Sequence, residues 1–288
     1  MKKRILFIIN PISGVGKKNT LPQLIHNHID HSIFSYEIAY TEYKGHAVKI
    51  STDAADKGVD IVCVAGGDGS VNEVGTALIN RKTALAILPT GSGNGIARHL
   101  GLSMRLKTAL KKINEQKFET IDTIQLDGKH FIGVSGFGFD ALIAKRFEEY
   151  HSRGLISYAR LVLKGFKNYK GINVVINNNT TYSNLLFCVI ANTSQFGNGF
   201  YISPKSSVTD GNFEIIMVSL PNIIGFIRLL LSSFMGTIHR SKYVKSIQTN
   251  TAQIKVESSL AHIDGEPIEL KDLLIQLDCR PRSLSIIT

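Results

Sequence analysis

The sequence predicts a mixed α/β chain of two domains, an amino-terminal domain built on a parallel sheet followed by a mostly antiparallel β domain. Three observations carry this. Strand-like apolar runs at 4–9, 33–41, 59–65 and 84–89 are separated by segments with helical apolar spacing, and such alternation implies parallel strands joined by crossover helices. From about Phe118 the pattern changes to closely spaced strands with few helices between them. Finally, 288 residues with 43% apolar content are long for one core and comfortable for two. The expected domains are 1–120 and 121–280.

The first strand is Arg4–Ile9. Its charged start is followed by only five apolar residues before Asn10-Pro11, too few for the apolar core of a signal sequence, so a cytoplasmic chain is expected. The turn Asn10–Lys18 is rich in glycine, donors and positive charge, which suits a phosphate contact. It is not a Walker loop, because Pro11 stands where the first glycine belongs and Lys18 where Ser or Thr is needed. A helix (Leu21–Ile29), a strand (Ile33–Thr41), a helix (about His46–Lys57) and a buried strand (Val59–Ala65) follow.

That strand runs into Gly66-Gly67-Asp68-Gly69-Ser70, and Val71–Ile79 continues with helical spacing. Glycines let a backbone approach an anion, and the amides and dipole at a helix start favour negative charge there. Asp68 among phosphate oxygens would be repelled unless a cation lies between them or the carboxylate takes a proton, which points to metal or acid/base chemistry. The alternative is a turn aspartate that caps a helix. A second buried strand, Ala84–Pro89, ends in Thr90-Gly91-Ser92-Gly93-Asn94-Gly95, and a helix begins at Ile96–Leu100. Two glycine loops thus end two strands of an open parallel sheet, where ligands bind. For Ser92 and Asn94 ordinary turn chemistry is the alternative.

The second domain reads as strands Thr120–Leu126, Lys129–Ser135, Ile172–Asn177, Leu185–Asn192, Phe213–Val218, Val244–Thr249, Ala252–Val256 and Leu273–Leu277, with helices Asp140–Glu149, Leu155–Lys167 and Asn222–Met235. Cys63, Cys188 and Cys279 are odd in number and far apart, so they read as reduced core residues. A net charge of +10 favours anionic partners. Because Lys and Arg are dispersed and no nucleic-acid motif accompanies them, nucleic acid is not expected. No stretch reaches the length of a membrane span; the nearest, Leu220–Met235, is interrupted by Pro221, Asn222 and Arg228.

The motifs Asn10-Pro11-Ile12-Ser13-Gly14, Gly66-Gly67-Asp68-Gly69-Ser70, Leu88-Pro89-Thr90-Gly91-Ser92-Gly93-Asn94, Gly136-Phe137-Gly138-Phe139-Asp140, Asp210-Gly211 and Asp264-Gly265-Glu266 occur in an order and spacing that resembles the ATP-dependent lipid kinases, the family of diacylglycerol, sphingosine and ceramide kinases and their bacterial relatives. The resemblance implies a three-layer α/β nucleotide-binding domain of the NAD kinase and phosphofructokinase kind, completed by a last strand within 281–288, and a β-sandwich-like lipid domain, with the active site in a cleft between them. It implies that ATP is contacted by Asn10, Pro11, Ser13, Gly14, Thr41, Gly66, Gly67, Gly69, Ser70, Asn72, Glu73, Ser92 and Asn94. Asp68 would act through Mg2+ and Glu266 as general base. A carboxylate in a glycine turn suits removal of a proton from an attacking hydroxyl; a plain surface turn is the alternative. By the same resemblance Asp210, with the carbonyls of Ser207 and Asn212, would hold a structural Mg2+. Thr209 stands where many relatives carry an acid, which lowers the charge available to a hard cation.

Asn94-Gly95 replaces the Asn-Asp of many bacterial diacylglycerol kinases and is closer to the sphingosine and ceramide kinase pattern. Asp140 sits where sphingosine kinases place an acid for the lipid head group; a helix N-cap is the alternative. Arg153 and Lys17 are candidates for phosphate contact or solvated loop residues. The helix Asn222–Met235 with His239, Arg240, Lys242 and Lys245 suits docking at an anionic lipid surface by a peripheral enzyme, or a core helix or homodimer contact. The expected activity is phosphorylation of a hydroxyl on a diacylglycerol-like or sphingoid lipid. The alternatives are an NAD kinase-like enzyme and an inactive nucleotide-binding regulator at the membrane surface.

Overall fold

The structure is a computed structural model and describes residues 2–11, 20–149 and 162–288, the side chains of 147–149 excepted. Ser13, Gly14, Lys17, Arg153 and the start of the helix expected at Leu155–Lys167 lie outside the described residues. The chain divides into two compact units, Met1–Thr123 with Arg280–Thr288, and Ile124–Cys279.

The first unit is built on a parallel sheet. β1 (Lys3–Ile9) lies between β2 (Phe34–Tyr40) and β3 (Ile61–Gly66), and β3 pairs with β4 (Ala84–Pro89). The end of the last strand, β15 (Leu274–Ile287), joins beyond β4 in parallel through Ile286 and Leu85. Every residue of β3 and β4 is buried, which is the reason these strands read as unbroken apolar runs rather than alternating ones. On one face Phe7, Ile9, Cys63 and Leu88 pack with α1 (Leu21–His28) and α5 (Leu106–Glu115). Against the sheet also pack α2 (His46–Asp56) and α3 (Asp68–Ala77), the latter through Val71, Val74 and Leu78. α4 (Gly95–His99) follows the second glycine loop. The helix α5 was not among the expected elements, although Leu106, Ala109, Leu110 and Ile113 have the required spacing and the last three are buried.

The second unit is antiparallel. Its strands are the end of β5 (Phe118–Leu126), β6 (Lys129–Phe131), β7 (Val134–Gly138), β8 (Ile172–Ile176), β9 (Thr180–Ala191), β10 (Phe213–Ser219), β11 (Val244–Thr249), β12 (Thr251–Val256), β13 (Leu260–Ile263), β14 (Glu266–Glu269) and the start of β15. The long strand β9 organises it, pairing with β7, β8 and β10. One apolar layer contains Phe131, Phe137, Cys188, Ile190, Phe213, Ile254 and Ile275. The opposite side chains of β9 and β10, among them Val189 and Ile216, pack with α6 (Phe139–Glu149), the helical stretch α7 (162–167) and α8 (Ile223–Phe234).

The strand expected at Lys129–Ser135 is two strands, β6 and β7, separated by Ile132 and Gly133, because the amides there serve a distant carboxylate described below. The turn expected at Asp264–Pro267 is the connection of a hairpin, β13 to β14, whose strands had no expected counterpart. All three cysteines are free and buried.

Candidate functional site

The strands of the first unit deliver the nucleotide-site candidates to one edge of the sheet. Asn10 follows β1, Thr41 follows β2, Gly67 follows β3 and Thr90 follows β4, all at carboxyl ends. Backbone bonds tie these ends together: Thr41 N–H donates to the Ile9 carbonyl at 3.1 Å, Asn10 N–H to that of Ala65 at 3.3 Å and Thr90 N–H to that of Gly66 at 3.0 Å. Pro11 is exposed beside Asn10.

The two glycine loops cross in backbone contact. A Cβ on Gly91 would come within 2.4 Å of the Gly67 Cα, and one on Gly66 within 2.5 Å of the Ser70 Cβ. Neither position has space for a side chain. Gly67 is the extended residue before α3 and Asp68 its first residue, with Gly69 and Ser70 completing the turn. Asn10 Nδ2 donates to Ser70 Oγ at 3.2 Å.

Asp68 spans the crossing. Its Oδ2 accepts from Gly95 N–H and its Oδ1 from Ile96 N–H, each at 3.0 Å. The carboxylate therefore caps α4, a different helix from the one it begins. Burial pushes its pKa upward, and the amide hydrogen bonds pull in the opposite direction. A carboxylate has about four lone-pair sites, and the amides of Asp68 itself and of Asn94 also act on this one to lower its pKa.

Asn94 adopts φ 52 and folds its Nδ2 back onto the Gly91 carbonyl at 2.7 Å. Three buried acceptors in this region, Asn72 Oδ1, Thr90 Oγ1 and Asn94 Oδ1, have no hydrogen-bond partner among the described residues. Buried polar atoms ordinarily are paired, so these fit a site that receives a polar ligand. Glu73 is already engaged, with Oε1 accepting from Gly45 N–H at 3.0 Å; Ser92 is exposed.

In the second unit, Asp264 and Gly265 have φ values of 48° and 82°, which is the two-residue turn that matches hairpin twist. The Asp264 side chain turns inward. Its Oδ1 accepts from Gly133 and Val134 N–H at 2.9 and 2.8 Å, and Oδ2 accepts from Ile132 N–H at 3.3 Å. Glu266, the first residue of β14, is exposed. So of two neighbouring acids one is fixed inside and the other is exposed.

His262, two residues earlier on the same strand face, is buried. Its Nδ1 accepts from Gly265 N–H at 3.4 Å, which leaves Nε2 to donate to Asp140 Oδ2 at 3.1 Å. Asp140 Oδ1 accepts from Ala141 N–H at 2.8 Å. Gly136 makes room for this pair, since a Cβ there would lie 2.0 Å from Asp140 Oδ2. Burial, and secondarily the Asp140 charge, raise the pKa of Tyr169 and of Cys188. His262 escaped the sequence reading, and Asp264 entered it only as part of the Asp264-Gly265-Glu266 turn; the signal for a buried histidine is faint in a strand only four residues long.

The metal candidates Ser207, Asp210 and Asn212 form a self-bonded loop. Asp210 Oδ1 accepts from Asn212 N–H at 3.0 Å and Oδ2 from Gln248 Nε2 at 2.9 Å, while Asn212 Nδ2 donates to the Asp210 carbonyl at 2.9 Å. No group of three or more His, Cys, Asp or Glu that could hold a metal occurs among the described residues. Asp210 is the single carboxylate among the three candidates, so a cation here would rest on backbone carbonyls and on little charge.

Residues 4–126 match the diacylglycerol kinase catalytic domain and residues 133–288 the YegS C-terminal NAD kinase beta sandwich-like domain. The chain is 25% identical over 277 residues to a diacylglycerol kinase of Bacillus subtilis, covering 92% of this chain and 90% of that protein. It is 25% identical over 253 residues to a protein of Shewanella frigidimarina named "Probable lipid kinase YegS-like", covering 83% and 80%. Among solved structures, a diacylglycerol kinase from Bacillus anthracis has the same fold, with TM-score 0.74, 21% identity and coverage of 99% and 96%. An NAD kinase from Archaeoglobus fulgidus in complex with ATP shares it more distantly, with TM-score 0.52, 10% identity and coverage of 99% and 93%.

Proposed function

The chain belongs to the lipid kinase family built from a diacylglycerol kinase catalytic domain and a YegS-type C-terminal domain, and from that premise we propose that it transfers the γ-phosphoryl group of ATP to a hydroxyl of a diacylglycerol-like or sphingoid lipid. The observation that carries the nucleotide half is the crossing of the two glycine loops, with the unpartnered oxygens of Asn72, Thr90 and Asn94 beside it.

In this reading Gly66–Ser70 and the α3 start receive the phosphates through backbone amides, and Asn10, Thr41 and Asn94 position the nucleotide. Ser13 and Gly14 belong to the same proposal. Asp68 is the side chain that would hold Mg2+, whose contribution is to neutralise charge on the transferring phosphoryl group. Ser207, Asp210 and Asn212 have no part in the step. Glu266 takes the proton of the acceptor hydroxyl as it attacks phosphorus; its outward placement on a rigid turn leaves it accessible to a lipid head group. Asp140, tied through His262 to the Gly265 amide, is the candidate for contacting that head group.

The test is transfer of labelled phosphate from ATP to a panel of lipids in mixed micelles with Mg2+, with NAD as a further acceptor. Labelled lipid made by the parent protein, and reduced at least a hundredfold by Glu266→Gln, is the expected result. Labelled NADP would replace the reading with an NAD kinase. Turnover untouched by Glu266→Gln would remove Glu266 from the chemistry.

A further inference from the structure

An enzyme whose acceptor is dissolved in a lipid phase has to reach that phase, and one surface of the second unit has the composition for it. α8 is apolar on both sides. Phe226 and Leu229 are buried in the layer that holds Phe139 and Phe166, and Gly225 lies against Tyr243, where a Cβ would come within 2.7 Å of the hydroxyl. The opposite side carries Ile223, Ile224, Ile227, Leu231, Phe234 and Met235, which are 47–68% exposed. An exposed apolar stripe of this extent marks a contact surface.

The surrounding charge selects the partner. Between Ile215 and Val256 the sequence contains no Asp or Glu. Arg228 lies within the exposed stripe, and His239, Arg240, Lys242 and Lys245 are exposed in the segment that follows. Lys242 and Lys245 rest over the rings of Tyr243 and Tyr182, with Nζ 5.3 and 5.9 Å from the centroids. A second copy of the chain is a poor occupant, because a two-fold contact sets the same patch against itself and would oppose cations with no acid to pair them. An anionic bilayer surface accepts the apolar side chains below its head groups and pairs the cations with phosphate, Arg228 extending outward along its own aliphatic stem.

We propose that the outer face of α8 with the Arg240–Lys245 segment is the surface by which this protein docks on anionic lipid bilayers, which rests on the lipid-kinase reading for its purpose but not for its measurement. The test is co-sedimentation of the full chain with vesicles of phosphatidylcholine alone or mixed with phosphatidylglycerol, alongside turnover on a water-soluble short-chain acceptor. The parent should bind the anionic vesicles preferentially. Ile224→Ser with Phe234→Ser should weaken that binding by at least a hundredfold, from about tenfold or more per inserted side chain. Arg240→Glu with Lys242→Glu should weaken it by at least twenty-fivefold, about fivefold per lost cation. Both variants should keep the parent's rate on the soluble acceptor. Vesicle binding unchanged in the apolar variant overturns the proposal, as does a variant that only converts a dimer to a monomer. If the parent binds vesicles but phosphorylates no lipid, the docking surface stands and the kinase reading falls.

Discussion

Replacing Asp264 tests what holds the hairpin that presents Glu266. In Asp264→Ala the amides of Gly133 and Val134 lose acceptors at 2.9 and 2.8 Å, and that of Ile132 loses a weaker one at 3.3 Å. Hydrogen bonds to a charged group contribute about 1.5–3 kcal/mol each, so the two short bonds account for about 3–6 kcal/mol. Alanine at φ 48 adds about 1 kcal/mol of backbone cost. The sum, about 4–7 kcal/mol, is comparable to the whole stability of many domains. Asp264→Asn is the informative partner. Asparagine tolerates the left-handed conformation and keeps one oxygen for Gly133 and Val134, but the bonds lose their charge and about half their strength, a cost of about 1.5–3 kcal/mol. At about 2–4 °C per kcal/mol, thermal unfolding followed by circular dichroism should fall by about 3–12 °C for Asn and by considerably more for Ala. A melting point within about 2 °C of the parent for Asp264→Ala would refute the reasoning, because the carboxylate would then be a passenger in the turn.

Further outcomes concern the first unit. Gly91→Ala should lower ATP affinity at least tenfold by calorimetry while costing about 1–3 kcal/mol of stability, since its Cβ would meet the Gly67 backbone at 2.4 Å and displace the loops. Asp68 gives a pH signature. Its pKa is raised in the fold by burial, so the folded state holds the proton more tightly than the unfolded chain. That contribution is present below the ordinary carboxylate value and lost as pH rises through the raised one. The melting temperature of the parent minus that of Asp68→Asn should therefore fall across that interval; a flat difference would show that burial does not govern this group.

The frame of the fold was legible because β3 and β4 are covered on both faces and their apolar runs are bounded by glycine loops. The positions of Asn10, Gly67 and Thr90 at strand ends follow from the same reading. What the sequence withheld depends on long-range approach. Asp264 bonds to Val134 across 130 positions, and a four-residue β13 offers too few alternations to announce its buried face. The contact of Gly67 with Gly91 is a property of two loops together, invisible in either alone. For α8, apolar residues on nearly all sides read equally as a core helix; only the packing of Phe226 and Leu229 shows which side is taken and which is left.

Asp68 and Asp264 illustrate why an acid in a glycine loop does not declare its chemistry. Each spends its oxygens on backbone amides of another segment, Asp68 on Gly95 and Ile96, Asp264 on Gly133 and Val134. In both, the carboxylate fixes a loop whose own backbone cannot do so, since amides at a helix or strand start lack local acceptors. For Asp264 this engagement, with 7% exposure, leaves a structural role. For Asp68 the proposed role as Mg2+ ligand stands beside this capping role, in which the bonds to Gly95 and Ile96 hold α4 against the first glycine loop. Loss of turnover at Asp68 alone would therefore follow from either role. Only a change in the Mg2+ dependence of ATP binding, with the melting point preserved, separates the ligand from the staple.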